Sequence, residues 1–241
     1  MAERRFVVEG PQSVREALAA GGLLELYTDD PGHPLAVRAA GMALPVVHVS
    51  SGVLSAMAET VTPQGLVGVA GLVDVTLAQA LAAPARLAVV LDVVSDPGNA
   101  GTIIRTADAA GADAVVLTAG SVDPHQGKCV RATAGSLWHL PVVSGAMLDE
   151  TLELLRGHGV QVLATTGSGE DDLDALLDAG VLAAPTAWLF GTEAHGLSKQ
   201  ALAAADRRVR IPVHGRAESL NVAAAAAVCL YASARALRVL Q

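Results

Sequence analysis

Four apolar runs decide what this chain can fold into: LAVVLDVV (87–94), AVVLT (114–118), VQVLATT (160–166) and TAWLFG (186–191). Each is short and lacks polar alternation, the mark of a strand buried on both faces. Between the first two, Ile103, Ile104, Ala107 and Ala110 recur at helical spacing, and Gly111 closes the segment. Strands and helices in alternation imply an α/β fold with a mainly parallel sheet covered on both sides. The core must use small and branched aliphatics, because the chain is 52% hydrophobic but only 2% aromatic.

A smaller α/β unit precedes this series. Strands are expected at 6–8, 23–28, 46–50 and 66–73, with helices at 11–20 and 51–59. Pro11 suits a first helical turn and Gly21-Gly22 a helix end. Residues 74–86 read as a short helix and linker. The expected division is therefore 1–75, a linker at 76–86, and 87–241. Further helices are expected at 126–134, 149–157 and 220–240, and further strands at 139–143 and 207–213.

No apolar run reaches the roughly 20 residues that span a bilayer, and MAERRFVVEG has no signal-peptide core. A soluble, cytoplasmic protein with no membrane partner is expected. Cys129 and Cys229 lie too far apart in sequence for a metal-ligand spacing and read as buried free thiols, so no metal is expected. A net charge of −8 argues against coating nucleic acid through bulk charge but leaves room for a local basic patch. Apart from Lys128 and Lys199 the basic residues are arginines, whose planar fork suits phosphate and base recognition.

Chemistry-bearing residues gather in three loops after predicted strands, where an α/β sheet places its ligands. The first is DPGNAGTIIRTADAAG (96–111). There Asn99 can cap the following helix, and Arg105 stands six residues on, among small and apolar neighbours. The second, LFGTEAHGLS (189–198), holds Glu193 between Gly191 and Gly196, glycines that let backbone approach a ligand. The third, IPVHGRAESLNVAAAAAVCLY (211–231), carries Arg216 and then Ser219 and Asn221, both able to cap the last helix. Capping accounts for one of these two residues and not for the pair.

Together these strings resemble the SpoU/TrmH family of RNA 2′-O-ribose methyltransferases, within the SPOUT superfamily. The resemblance covers residues 87–241. It rests on Asn-x5-Arg (Asn99, Arg105), on G-x-E-x-x-G-L-S (Gly191, Glu193, Gly196, Leu197, Ser198) and on I-P-x-x-G-x-x-x-S-L-N-V from Ile211 to Val222. RRFVVEGPQSVREAL also resembles the opening of a small RNA-binding domain that many members carry. The resemblance implies a parallel sheet whose C-terminal part forms a deep trefoil knot, a homodimer with its active site near the interface, and S-adenosylmethionine as methyl donor without a metal. It places the cofactor against Thr165, Gly191, Ile211 and Leu220. It gives the motif-one role to Arg105, with Asn99, Glu193, Ser219 and Asn221 orienting it and the nucleotide. A guanidinium keeps its proton, so Arg105 is read as positioning ribose and phosphate.

Arg216, Arg131 and Arg5 are the expected RNA contacts, with Arg4, Arg15, Arg207 and Arg208 as further candidates. The expected substrate is ribosomal RNA, 23S in particular. The alternatives are a tRNA 2′-O-methyltransferase and a non-catalytic RNA-binding paralogue. A nicotinamide oxidoreductase is set aside, because no G-x-G-x-x-G follows FVV or LAVVLDVV.

Overall fold

The computed structural model describes residues 4–192 and 196–239, without the side chain of Val239. The N-terminal strands are β1 (Arg5–Glu9), β2 (Leu23–Thr28), β3 (Val46–His48) and β4 (Leu66–Gly71). Helices α1 (Pro11–Ala19), α2 (Pro34–Gly41) and α3 (Ser51–Met57) join them. The sheet order is β1-β4-β2-β3. β4 runs antiparallel to both β1 and β2, and only β2 and β3 are parallel. This corrects the parallel arrangement expected from alternation: the last strand inserts between the first two from the opposite direction. Helix α2 is absent from the sequence reading, because its cap is His33, whose Nδ1 accepts from the Leu35 N–H at 3.2 Å.

The second sheet has seven strands: β5 (Leu87–Leu91), β6 (Ala114–Thr118), β7 (Val142–Ala146), β8 (Gln161–Thr165), β9 (Asp171–Asp172), β10 (Thr186–Phe190) and β11 (Arg207–Arg210). Their order is β7-β6-β5-β10-β8-β11-β9, and every pairing is parallel. All residues of β5, β6 and β10 are buried, which explains their unbroken apolar sequences. β7 begins at Val142, three residues later than expected. Residues 136–138 form a 3-10 turn, and Pro141 has no N–H to give a ladder.

Seven helices accompany this sheet: α4 (Leu77–Ala80), α5 (Pro97–Ala110), α6 (Gly127–Thr133), α7 (Leu148–Gly157), α8 (Leu173–Asp178), α9 (Lys199–Ala204) and α10 (Val222–Val239). The pleat divides them. Leu87, Val89 and Leu91 face the core shared with α5, α6, α8 and α10, while Ala88 and Val90 face α7 and α9. Trp188, fully buried on β10, donates from Nε1 to Ser233 Oγ at 2.9 Å and fixes α10 against the sheet.

The first core runs on into the N-terminal sheet. Phe6 stacks on Trp138 at 6.0 Å between centroids and meets the His125 ring at 4.8 Å. Residues 76–86 are packed onto the larger sheet. Thr76 and Gln79 form a capping box on α4, the Val75 N–H donates to the Val142 carbonyl at 3.0 Å, and Leu81 and Ala85 are buried. No helix among the described residues is long and apolar enough to cross a membrane.

Candidate active site

The first loop leaves β5 under tension. Val93 is β-branched yet adopts φ 57°, a region such residues rarely enter, and the strain is on the order of 1–3 kcal/mol. Thr118 holds the turn in place. Its Oγ1 accepts the Val93 N–H at 3.1 Å and its hydroxyl donates to the buried Asp92 carboxylate at 3.0 Å. Such strain gathers where a fold must place functional groups. The sequence reading missed Asp92 and Thr118, which lie in separate strands, and it ran the strand through Val94.

Asp96, not Asn99, caps α5: its Oδ1 accepts the Asn99 N–H at 2.8 Å. The correction follows from Pro97, which occupies the first helical turn and makes its predecessor the cap. Lys128 from α6 donates to Asp96 Oδ2 at 2.9 Å. That hydrogen bond, helped by the Asn99 N–H, holds the Asp96 carboxyl below the usual carboxylate range. The Asn99 side chain meets the third loop, where Asn221 Nδ2 donates to Asn99 Oδ1 at 3.1 Å across 122 residues of chain. Asn221 also caps α10, its Oδ1 accepting the Ala223 and Ala224 N–H groups at 2.9 and 3.4 Å. Ser219 is exposed and is not the cap.

Arg105 is exposed on α5 and forms no hydrogen bond or ion pair with a described residue. At 100° per residue, six residues set it about 120° round the helix from Asn99. The expected orientation of Arg105 by Asn99, Ser219 and Asn221 is therefore not made by contacts within the described chain. Glu193 lies outside the described residues.

The second loop folds back on itself. Thr192 and Gly196 exchange backbone hydrogen bonds at 3.0 and 2.9 Å, and Gly196 has φ 66°. A Cβ on Gly191 would stand 2.3–2.4 Å from the backbone of Gly196 and Leu197, so only glycine fits. Thr165, at the end of β8, donates from Oγ1 to the Leu189 carbonyl at 3.2 Å, linking two strand ends beside Gly191. Ile211 is half-buried, and Leu220 is 40% exposed. Residues 212–220 make no backbone–backbone hydrogen bond with the described residues. Their amides and carbonyls are open to a polar ligand, and the donor set is neutral. Such a set suits the adenine and ribose of S-adenosylmethionine.

Most of the arginines read as RNA contacts have acidic partners. Arg131 donates to Glu9 at 3.2 Å and Glu59 at 3.3 Å. Arg5 pairs with Glu25 at 3.6 Å and Arg4 with Asp74 at 3.5 Å. Arg207 faces Asp171, Arg208 faces Glu170 and Arg210 faces Asp172 along the β11–β9 edge. Arg15 donates to Gln12. Arg216 is exposed within the third loop and has no such partner among the described residues. Both cysteines are buried and free; burial pushes the Cys129 thiol up to about 12 and raises that of Cys229 as well.

A strained loop, a glycine-tight loop and a loop without backbone ladder bonds thus meet at the carboxyl edge of a parallel sheet, the place where an α/β enzyme binds its small ligand. Residues 86–231 match the SpoU rRNA Methylase family, and residues 1–68 match the MRM3-like substrate binding domain. The chain belongs to the SpoU rRNA methylase family. It is 36% identical to the 23S rRNA (guanosine(2553)-2′-O)-methyltransferase RlmP of Bacillus subtilis, over 94% of this chain and 87% of that protein. Its fold is similar to the AdoMet-bound rRNA methyltransferase from Sinorhizobium meliloti, with TM-score 0.84 and 34% identity over 97% of this chain and 88% of that one. It is also similar to the SpoU methyltransferase AviRb from Streptomyces viridochromogenes, with TM-score 0.86 and 27% identity over 99% and 91% of the two chains.

Proposed function

We propose that this protein transfers a methyl group from S-adenosylmethionine to a ribose 2′-hydroxyl of ribosomal RNA, 23S RNA in particular, in the cytoplasm. The observation that carries the reading is the Asn99–Asn221 hydrogen bond, which joins the first and third motif loops at one end of a wholly parallel sheet. RlmP of Bacillus subtilis and the Sinorhizobium meliloti protein are both named rRNA methyltransferases and match along nearly the whole chain, N-terminal sheet included.

Thr165, Gly191, Ile211 and Leu220 would hold the donor, which supplies a methyl already activated by the sulfonium charge. The acceptor hydroxyl is a weak nucleophile and must be placed in line with that methyl, so positioning carries much of the rate. Arg105 and Arg216 supply charge for the ribose and its phosphate, and Asn99, Glu193, Ser219 and Asn221 shape the cleft around them. Residues 1–75 form the RNA-binding unit, 76–86 the joint and 87–241 the methyl-transferring unit.

The C-terminal knot belongs to the same reading. Its support is that β10 lies between β5 and β8, and that a Cβ on Gly169 would stand 2.6 Å from the backbone of residues 208–210, a very close crossing of two segments. A homodimer is supported by the unpartnered face of α10, where Val228 is 42% and Tyr231 55% exposed, and by the outward-facing Arg105.

The test is methyl transfer to ribosomal RNA from cells lacking the gene, followed by mapping of 2′-O-methyl sites. One new site in 23S RNA is expected. Arg105→Ala should lower the rate by roughly a hundredfold or more while the donor still binds. Full activity in that variant refutes the role given to Arg105, and methylation of tRNA alone reassigns the substrate.

A further inference from the structure

A second cleft, of about 340 Å³, lies between the N-terminal sheet and α6, and nothing in the methyl-transfer reading uses it. One wall is the start of α1, from Gly10 to Ser13. Pro63 and Gln64, from the loop before β4, face it, and Arg131 of α6 closes the side. The volume falls at the low end of the range for small-ligand pockets.

The groups lining this cleft are specific in kind. Gly10 sits at the N-cap of α1 with φ 83° and offers no side chain, so the first-turn N–H groups lack a side-chain cap. Ser13 is 4% exposed, lines the cleft, and its hydroxyl bonds no described residue. Its Oγ is not among the fully buried unpartnered atoms, so solvent in the cleft reaches the hydroxyl and a ligand there can replace that water. Gln64 lays its side-chain amide over Gly10, where a Cβ would come within 3.2 Å of Oε1, and it too bonds no described residue.

Charge decides which ligand fits. Both oxygens of Glu9 are occupied: Oε1 by the Glu59 N–H at 2.8 Å and Arg131 at 3.2 Å, Oε2 by the Thr60 hydroxyl at 2.7 Å and its N–H at 3.2 Å. Arg131 is shared with Glu59 at 3.3 Å. Two carboxylates around one guanidinium leave no spare positive charge for a phosphate. What remains is neutral and bears both donors and acceptors, between apolar walls that include Pro63 and Leu66. That is the complement of a planar heterocycle with a mixed hydrogen-bonding edge.

The cleft is also coupled to the catalytic loop. Lys128, which holds Asp96, and Arg131, which lines the cleft, stand three residues apart on α6, about one helical turn. We propose that this cleft receives one unstacked nucleobase of the RNA, near the nucleotide that is methylated, and so selects sequence. The proposal rests on the RNA-methyltransferase reading for its ligand class and on the cleft alone for its geometry.

The test uses the full-length, 15N-labelled protein with S-adenosylhomocysteine at saturation to occupy the donor cleft. Guanosine, adenosine, cytidine and uridine are each titrated to millimolar concentration, with inorganic phosphate as a separate arm. The expected result is amide shifts at Gln12, Ser13 and Gln64 with one nucleoside favoured. Ser13→Val and Gln64→Ala should each weaken that binding by roughly fivefold or more, and Gln64→Ala should raise KM for RNA rather than lower kcat. Shifts with phosphate but no nucleoside, or no shift at these amides at all, overturn the proposal. If nucleosides bind here but the wild-type protein methylates no RNA, the methyltransferase reading fails and the base pocket stands.

Discussion

Asp96 and Asn99 divide two tasks that their sequence leaves undivided. Both can cap a helix, and only the fold shows that Asp96 takes the cap while Asn99 turns its side chain to Asn221. Asp96→Ala should therefore cost about 1 kcal/mol through the lost cap, read as a lower urea midpoint. Asp96→Asn keeps a capping oxygen and should leave the midpoint nearly unchanged, because the Lys128 pair is exposed and contributes little. An equal loss in both variants would give the ion pair the larger part. The folded Asp96 carboxyl titrates below its ordinary range, so its contribution is present above that range and fades as pH falls through the lowered value. The motif residues were legible because their spacing is local and strict. The pairing of Arg131 with Glu9 and Glu59 was not, since the partners stand 122 and 72 residues away and no periodicity announces them.

Among the elements, legibility followed burial. β5, β6, β8 and β10 were placed within a few residues, because strands enclosed on both faces write unbroken apolar runs. The short helices α2, α8 and α9 escaped notice, because they have 6–8 residues and depend on tertiary packing rather than intrinsic propensity. The antiparallel course of β4 escaped for a different reason: alternation of strand and helix does not reveal which neighbour a strand chooses. The α5–α6 crossing depends on Gly101, where an added Cβ would stand 2.5 Å from the Cys129 carbonyl and 2.6 Å from the Ala132 Cβ. Gly101→Ala gains up to about 1 kcal/mol of helix propensity but forces the helices apart at about 1–3 kcal/mol. A net fall in Tm is expected, and a rise would show that α6 can yield. Because α6 also carries Lys128 and Arg131, the same variant should disturb the catalytic loop and the second cleft together.

Over the whole molecule, the two sheets share one apolar core, and charged contacts reinforce it. His139 sets Nδ1 2.8 Å from Asp108 on α5 and Nε2 3.4 Å from Glu16 on α1. The Asp108 hydrogen bond, with Glu16 assisting, raises its pKa above 6.5. Its contribution to stability is therefore complete below 6.5 and lost as pH rises through the raised folded value. The urea midpoint should decline across that window, and His139→Gln should flatten the decline; an unchanged slope would remove His139 from the interface. The strand order carries a consequence for synthesis on the ribosome. Among the described residues β8 pairs only with β10 and β11, both of which emerge after it. A nascent chain thus holds residues 161–165 without a ladder strand beside them until Thr186–Leu189 are clear of the exit tunnel. The small N-terminal sheet needs nothing beyond Gly71 to pair its strands and can settle early, while the larger sheet must wait for nearly its entire length.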